Sequence, residues 1–131
     1  MTRVLIVDDS PTIRRMVKAS LAPLPGPLDF IEAASGLEAI ERLALGTVDL
    51  IVLDLNMPDM HGLEVLGFLR SHQKYRAVPV IVLTTRGDAT SREAALKSGA
   101  TSYLTKPFQP GVLAAEAGQL LSSVPTRGAT P

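Results

Sequence analysis

The sequence predicts an α/β domain: five parallel strands in a doubly wound sheet, with helices on both faces, making three layers. Apolar, β-branched runs recur five times along the 131 residues, with helix-like segments between them. Two of these runs, VDLIVLDL (48–55) and VPVIVL (78–83), are almost continuously hydrophobic, as parallel strands covered on both faces must be. Strand followed by helix, repeated five times and joined by right-handed crossovers, folds into an open parallel sheet.

The first strand is VLIVD (4–8), and Ser10-Pro11 opens the first helix with an N-cap and a proline at the first helical position. PLPGP (23–27) is a loop, LDFIEA (28–33) the second strand, and Ser35-x-x-Glu38 a capping box for the second helix. In that helix Leu37, Ile40, Glu41, Leu43 and Ala44 are read as the face that packs, and Gly46 stops it. The third strand, 48–55, precedes a helix whose buried face is Leu63, Leu66 and Leu69. After the fourth strand, 78–85, Thr90-x-x-Glu93 reads as a second capping box and Gly99 as a stop. TSYLT (101–105) is the fifth strand, and Pro110 opens the last helix. One domain is expected over 1–122, with a polar, Pro/Gly-containing tail expected to be disordered over 123–131.

Composition excludes several function classes. Thirteen basic residues balance thirteen acidic ones, so no general attraction to nucleic acid or to an anionic membrane is built in. Cysteine is absent, which rules out thiolate chemistry and suits a reducing compartment. The apolar run of the N-terminal MTRVLIVDD is short and ends in acids, unlike a signal peptide or a membrane span, so a soluble cytoplasmic protein with no direct DNA binding is expected.

In open α/β sheets the working residues gather outside the carboxyl ends of the strands. Here that edge receives Asp8 and Asp9 from the first strand, Asp54 from the third, Thr84 and Thr85 from the fourth, and Lys106 after the fifth. Three carboxylates brought together repel unless a pKa shifts or a cation intervenes. Mg²⁺ suits them: it is a hard cation that takes one or two carboxylates, keeps several waters and accepts a phosphate oxygen. No His or Cys cluster argues for zinc, and His61 and His72 are given no catalytic role. A carboxylate beside Mg²⁺ can attack a phosphoryl group and become an aspartyl-phosphate, assisted by an ammonium, a hydroxyl and loop N–H groups. Taken alone, Asp8-Asp9 also fits an N-cap followed by a helix-start acid, and Tyr103 fits a half-buried tyrosine with a wet hydroxyl.

Taken together, VDDSPTIRR, DLNMPDMHG, VIVLTT and YLTKPF resemble the receiver domains of two-component response regulators, particularly the stand-alone, chemotaxis-type ones, over roughly residues 3–122. The resemblance implies a flavodoxin-like sheet of order 2-1-3-4-5. It also implies Asp54 as phosphoryl acceptor, Asp9 and Asp54 as Mg²⁺ ligands with the Asn56 backbone carbonyl, and Asp8 holding a water on the metal. Lys106 would contact the phosphoryl oxygens and precede a cis Pro107, Thr84 would hydrogen-bond the arriving group, and Tyr103 would be the aromatic switch that turns inward. Its partners would be a sensor histidine kinase and a downstream effector, the latter docking on the fourth helix, fifth strand and fifth helix. That face would include Ala94, Ala95, Ser98, Tyr103 and VLAAEAGQL (112–120). Three positions depart from the common pattern: His61 where an acid often precedes Gly62, Thr85 where a smaller residue is frequent, and Arg86 after it.

The sequence therefore supports a phosphoacceptor signalling protein that catalyses at most its own phosphorylation and dephosphorylation. A phosphorelay intermediate or phosphate sink shares every motif. A flavodoxin-like cofactor-binding enzyme would need a phosphate-cradling loop where the acidic DDSP stands. An aspartyl phosphatase would want a second acid at the position of Asn56.

Overall fold

In the computed structural model, residues 1–57 and 59–123 are described. Ten elements alternate along them: β1 (Thr2–Val7), α1 (Pro11–Leu21), β2 (Leu28–Ala33), α2 (Gly36–Leu45), β3 (Leu50–Leu53), α3 (Gly62–Ser71), β4 (Val80–Thr84), α4 (Ala89–Lys97), β5 (Ser102–Thr105) and α5 (Pro110–Ser123). All strand pairs are parallel, in the order β2-β1-β3-β4-β5. Each expected strand and helix is present, the sheet has the implied order, and Lys106-Pro107 is cis. Ser123 belongs to α5, one residue beyond the expected domain end; the rest of the expected tail lies outside the described residues.

The continuous hydrophobic runs explain the layering. Successive side chains of a strand point to opposite faces, so every residue of β3 and β4 is buried. Leu5, Val7, Ile51, Leu53, Val80 and Val82 face one core with Ala39 and Leu43 of α2 and Val65, Leu66 and Leu69 of α3. Val4, Ile6, Leu50, Val52, Ile81 and Leu83 face the other with Val17 and Leu21 of α1 and Leu113 and Ala117 of α5. Burying such side chains contributes roughly 1.5–3 kcal/mol each before conformational entropy is subtracted.

Three local expectations are corrected. The inward face of α2 is Gly36, Ala39 and Leu43, while Leu37 is 53% exposed and Glu41 and Ala44 are exposed. The helix is rotated because its first turn lies against Met60, where only a glycine fits: a Cβ on Gly36 would stand 2.7 Å from Met60 Cβ. In α4 the N-cap is Asp88 and Thr90 lies inside the helix, since the Asp88 carboxylate accepts from the Ser91 N–H at 3.0 Å and from its hydroxyl at 3.0 Å. The Ser10 cap stands as expected, accepting from the Ile13 N–H; of the expected Ser35–Glu38 box only the Ser35 half forms, accepting from the Glu38 N–H, because the Glu38 carboxylate turns to Arg42 at 3.3 Å.

Away from the carboxyl edge of the sheet, Thr2, Leu24, Pro25, Leu28, Gly118, Leu121 and Ser122 line a cavity of about 200 Å³. The first strand and the end of the last helix thus meet at the opposite pole.

Gly62 begins α3 where its N–H donates to Leu55 O at 2.9 Å, and a Cβ there would stand 2.6 Å from Asp54 O and 2.6 Å from Leu55 Cα. Those are backbone atoms and cannot turn aside. Gly62→Ala is expected to cost about 1–3 kcal/mol in urea unfolding. Gly67→Ala, in the same helix with open space around the added Cβ, is expected to add about 0.4–1 kcal/mol. Equal effects would contradict this account of the start of α3.

Candidate functional site

Parallel pairing delivers the chemically active groups to one edge. Val7 is level with Leu53, and the Asp54 N–H donates to Val7 O at 2.9 Å, so Asp8 and Asp54 leave neighbouring strands side by side. Thr84 is level with Thr105, and the Lys106 N–H donates to Thr84 O at 2.8 Å, which brings the lysine to the same edge. Asp8, Asp9 and Asp54 each offer a carboxylate oxygen within 4.8 Å of the other two.

The three acids are not equivalent. Asp8 is 3% exposed and already committed: Oδ1 accepts from the Ser10 N–H at 2.9 Å and Oδ2 from Lys106 Nζ at 2.6 Å. Asp54 is 6% exposed, with Oδ1 accepting from the Asn56 N–H at 3.3 Å and Oδ2 lying 3.4 Å from Lys106 Nζ. Asp9 is exposed. Burial is the strongest influence on Asp54 and pushes its carboxyl above the usual carboxylate range; the Lys106 ammonium pulls it back, Asp8 pushes it further up, and the Asn56 N–H lowers it. One ammonium therefore lies against two carboxylates of a cluster of three.

That donor set fits a divalent cation. The ligand atoms are all hard oxygens, they carry more negative charge than the nearby lysine neutralises, and one of the three acids opens to solvent. Asn56 is exposed beside them on the β3–α3 loop.

The remaining expected residues fall nearby. Thr84 is fully buried, with Oγ1 accepting from the Arg86 N–H at 3.4 Å. Tyr103 is 7% exposed, so its ring is turned inward and is not half-wet; its hydroxyl donates to Arg86 O, and the Arg92 guanidinium lies 5.9 Å from the ring centre. Thr85 is exposed, and Arg86 directs its Nε to Ser91 Oγ at 3.2 Å, toward the start of α4. The expected outer face of α4, β5 and α5 needs correction at Ala95, Tyr103, Leu113 and Ala117, which point into the core; Val112 is exposed as expected, and Arg92 and Leu96 join it.

His61 and His72 do structural work. His61 Nδ1 accepts from the Leu63 N–H at 3.1 Å while Glu64 accepts from the His61 N–H at 3.2 Å, closing a capping box on α3. The His72 ring packs 4.8 Å from Tyr75. Two contributors escaped the sequence reading. Arg14 donates to Asp8 O at 2.5 Å and to Glu32 at 2.9 Å, tying the β1–α1 loop to β2. Asp59 accepts from the N–H groups that begin α2. Neither is marked by spacing, because each acts on backbone from another part of the chain.

Residues 4–117 match the response regulator receiver domain family. The chain is 41% identical over 112 residues to chemotaxis protein CheY1 of Helicobacter pylori, covering 85% of this chain and 90% of that one. It is 39% identical over 128 residues to the chemotaxis protein CheY homolog of Campylobacter jejuni, covering 97% and 98%. Among solved structures, chemotaxis response regulator CheY4 of Vibrio cholerae superposes with a TM-score of 0.82 at 34% identity, over 92% of this chain and 98% of that one. The Mn²⁺-bound form of response regulator Rcp1 gives 0.84 at 27% identity, over 95% and 97%. No described helix is long and apolar enough to cross a membrane. With Asp8, Asp9, Asp54 and Lys106 gathered at one end of a 2-1-3-4-5 sheet and these relatives beside it, the chain belongs to the response regulator receiver domain family.

Proposed function

We propose that this chain is a chemotaxis-type response regulator in which Asp54 accepts a phosphoryl group from a sensor histidine kinase. Mg²⁺ would be held by the Asp9 and Asp54 side chains and the Asn56 carbonyl. The observation that carries the reading is Lys106 Nζ lying 2.6 Å from Asp8 and 3.4 Å from Asp54, inside a cluster that still holds an excess of carboxylate. The names of the CheY relatives support the chemotaxis assignment, and the Mn²⁺-bound relative supports a divalent cation.

In the transfer, an Asp54 oxygen forms a bond to phosphorus as the bond from phosphorus to the donor's imidazole nitrogen breaks, and the imidazole leaves with the electron pair and takes up a proton. Lys106 stabilises negative charge on the transferring oxygens, and its tie to Asp8 fixes where the ammonium sits. When bound, Mg²⁺ supplies further positive charge against those oxygens. Burial around Asp54 raises the strength of each of these interactions.

The Thr84 hydroxyl, buried at the end of β4, is the donor that the new phosphoryl group would draw on. Its present partner is the Arg86 N–H, and Arg86 O is the acceptor of the Tyr103 hydroxyl. A change at Thr84 therefore has a route through one short loop to the ring under α4. The outward side of α4, β5 and α5, bearing Arg92, Leu96 and Val112, is the surface on which affinity for a downstream protein would change.

Incubation with Mg²⁺ and a small acyl phosphate is expected to add one phosphoryl group by mass, absent without divalent cation and absent in Asp54→Asn. A group that persists in Asp54→Asn would sink the assignment. The raised Asp54 carboxyl also makes a pH prediction. A folded pKa above the unfolded one contributes stability that is complete below the ordinary carboxylate range and lost as pH rises through the raised value. Asp54→Asn is therefore expected to unfold at higher urea than the wild type at neutral pH, and to lose that advantage in acid. Added Mg²⁺ should stabilise the wild type and narrow the neutral-pH gap. A variant less stable than wild type at neutral pH without Mg²⁺ would contradict the burial argument.

A further inference from the structure

The β3–α3 loop carries Asn56, and its near end is fixed at β3: the Asn56 N–H donates to Asp54 Oδ1, and the Gly62 N–H returns to Leu55 O. Its outer part is fixed to a different helix. Asp59 Oδ1 accepts from the Gly36 N–H at 3.3 Å and Oδ2 from the Leu37 N–H at 3.4 Å, while Oδ1 also accepts from the Met60 N–H at 2.7 Å. The Gly36 and Leu37 N–H groups belong to the first turn of α2, which has no partners for them within the helix.

A second, independent feature serves the same contact. Gly36 is buried, and a Cβ on it would meet Met60 Cβ at 2.7 Å, Met60 O at 3.0 Å and Val65 Cγ2 at 3.0 Å. The start of α2 thus lacks a side chain where the loop rests on it. The carboxylate holds the loop there, and the missing side chain lets it come close.

We propose that Asp59 is a positioning residue: by latching the β3–α3 loop to the N-terminus of α2, it holds the Asn56 backbone in register with Asp54 and Asp9 for a divalent cation. This rests on the proposed role of the Asn56 carbonyl as a ligand. Asp59 works through the loop, as an acceptor of N–H groups, and its negative charge is not the means. A ligand supplied by loop backbone is only as well placed as the contacts that hold the loop.

The test is Mg²⁺ titration calorimetry beside urea unfolding on the full chain. Asp59→Ala is expected to weaken Mg²⁺ binding about 10-fold, whereas Asp59→Asn, which keeps one acceptor oxygen and loses the charge, should retain most of the affinity. Tyr75→Phe deletes the hydroxyl that donates to Leu43 O at 3.2 Å near the other end of α2; it should lower stability and leave Mg²⁺ affinity at the wild-type value. Wild-type affinity in Asp59→Ala would overturn the inference, as would equal losses in the Asn and Ala variants or an affinity loss in Tyr75→Phe. A wild-type chain that takes no Mg²⁺ would instead overturn the ligand set itself, and this inference with it.

Discussion

The structure depends on one ammonium shared between two buried carboxylates. Lys106 Nζ bonds Asp8 across 98 positions of sequence and also faces Asp54, so the ends of β1, β3 and β5 are tied by a single charged group. Carboxylates of this burial are costly without a partner. Asp8 meets that requirement through Lys106 and the Ser10 N–H, and Asp54 through Lys106 and the Asn56 N–H. Among the described residues no buried side-chain nitrogen or oxygen lacks a hydrogen-bond partner.

The same constraint explains the division of labour among the acids. A lysine that satisfied all three would leave an inert salt-bridge network. Here the ammonium lies among the two buried ones and Asp9 remains exposed, so the cluster is held together yet short of positive charge. The buried acids set the geometry, and the exposed one leaves it accessible.

Much of this was legible in the sequence because parallel sheets leave strong one-dimensional marks. Runs buried on both faces stand out, prolines and glycines punctuate the helices, and acids at strand ends are conspicuous because Val7 and Leu53 before them are so apolar. What was not legible depends on contacts between distant segments. The rotation of α2 follows from Met60 resting on Gly36, which no periodicity within residues 36–45 contains. Asp59 resembles any solvated loop acid until the first turn of α2 is placed beside it. Tyr103 and Ala95 face inward because α4 and β5 pack against α3 and the sheet, a fact of three-dimensional arrangement that two short segments cannot encode.

The cavity between Thr2 and Ser122 has a practical meaning. It marks the pole where the first strand begins and the last helix ends, while the acids and Lys106 sit at the other ends of the strands. Cargo attached at the start of β1 or at Ser122 of α5, whether a fluorescent reporter or an immobilising anchor, would sit on the side remote from the chemistry. The domain can therefore be tethered or labelled at that pole with its working edge left clear.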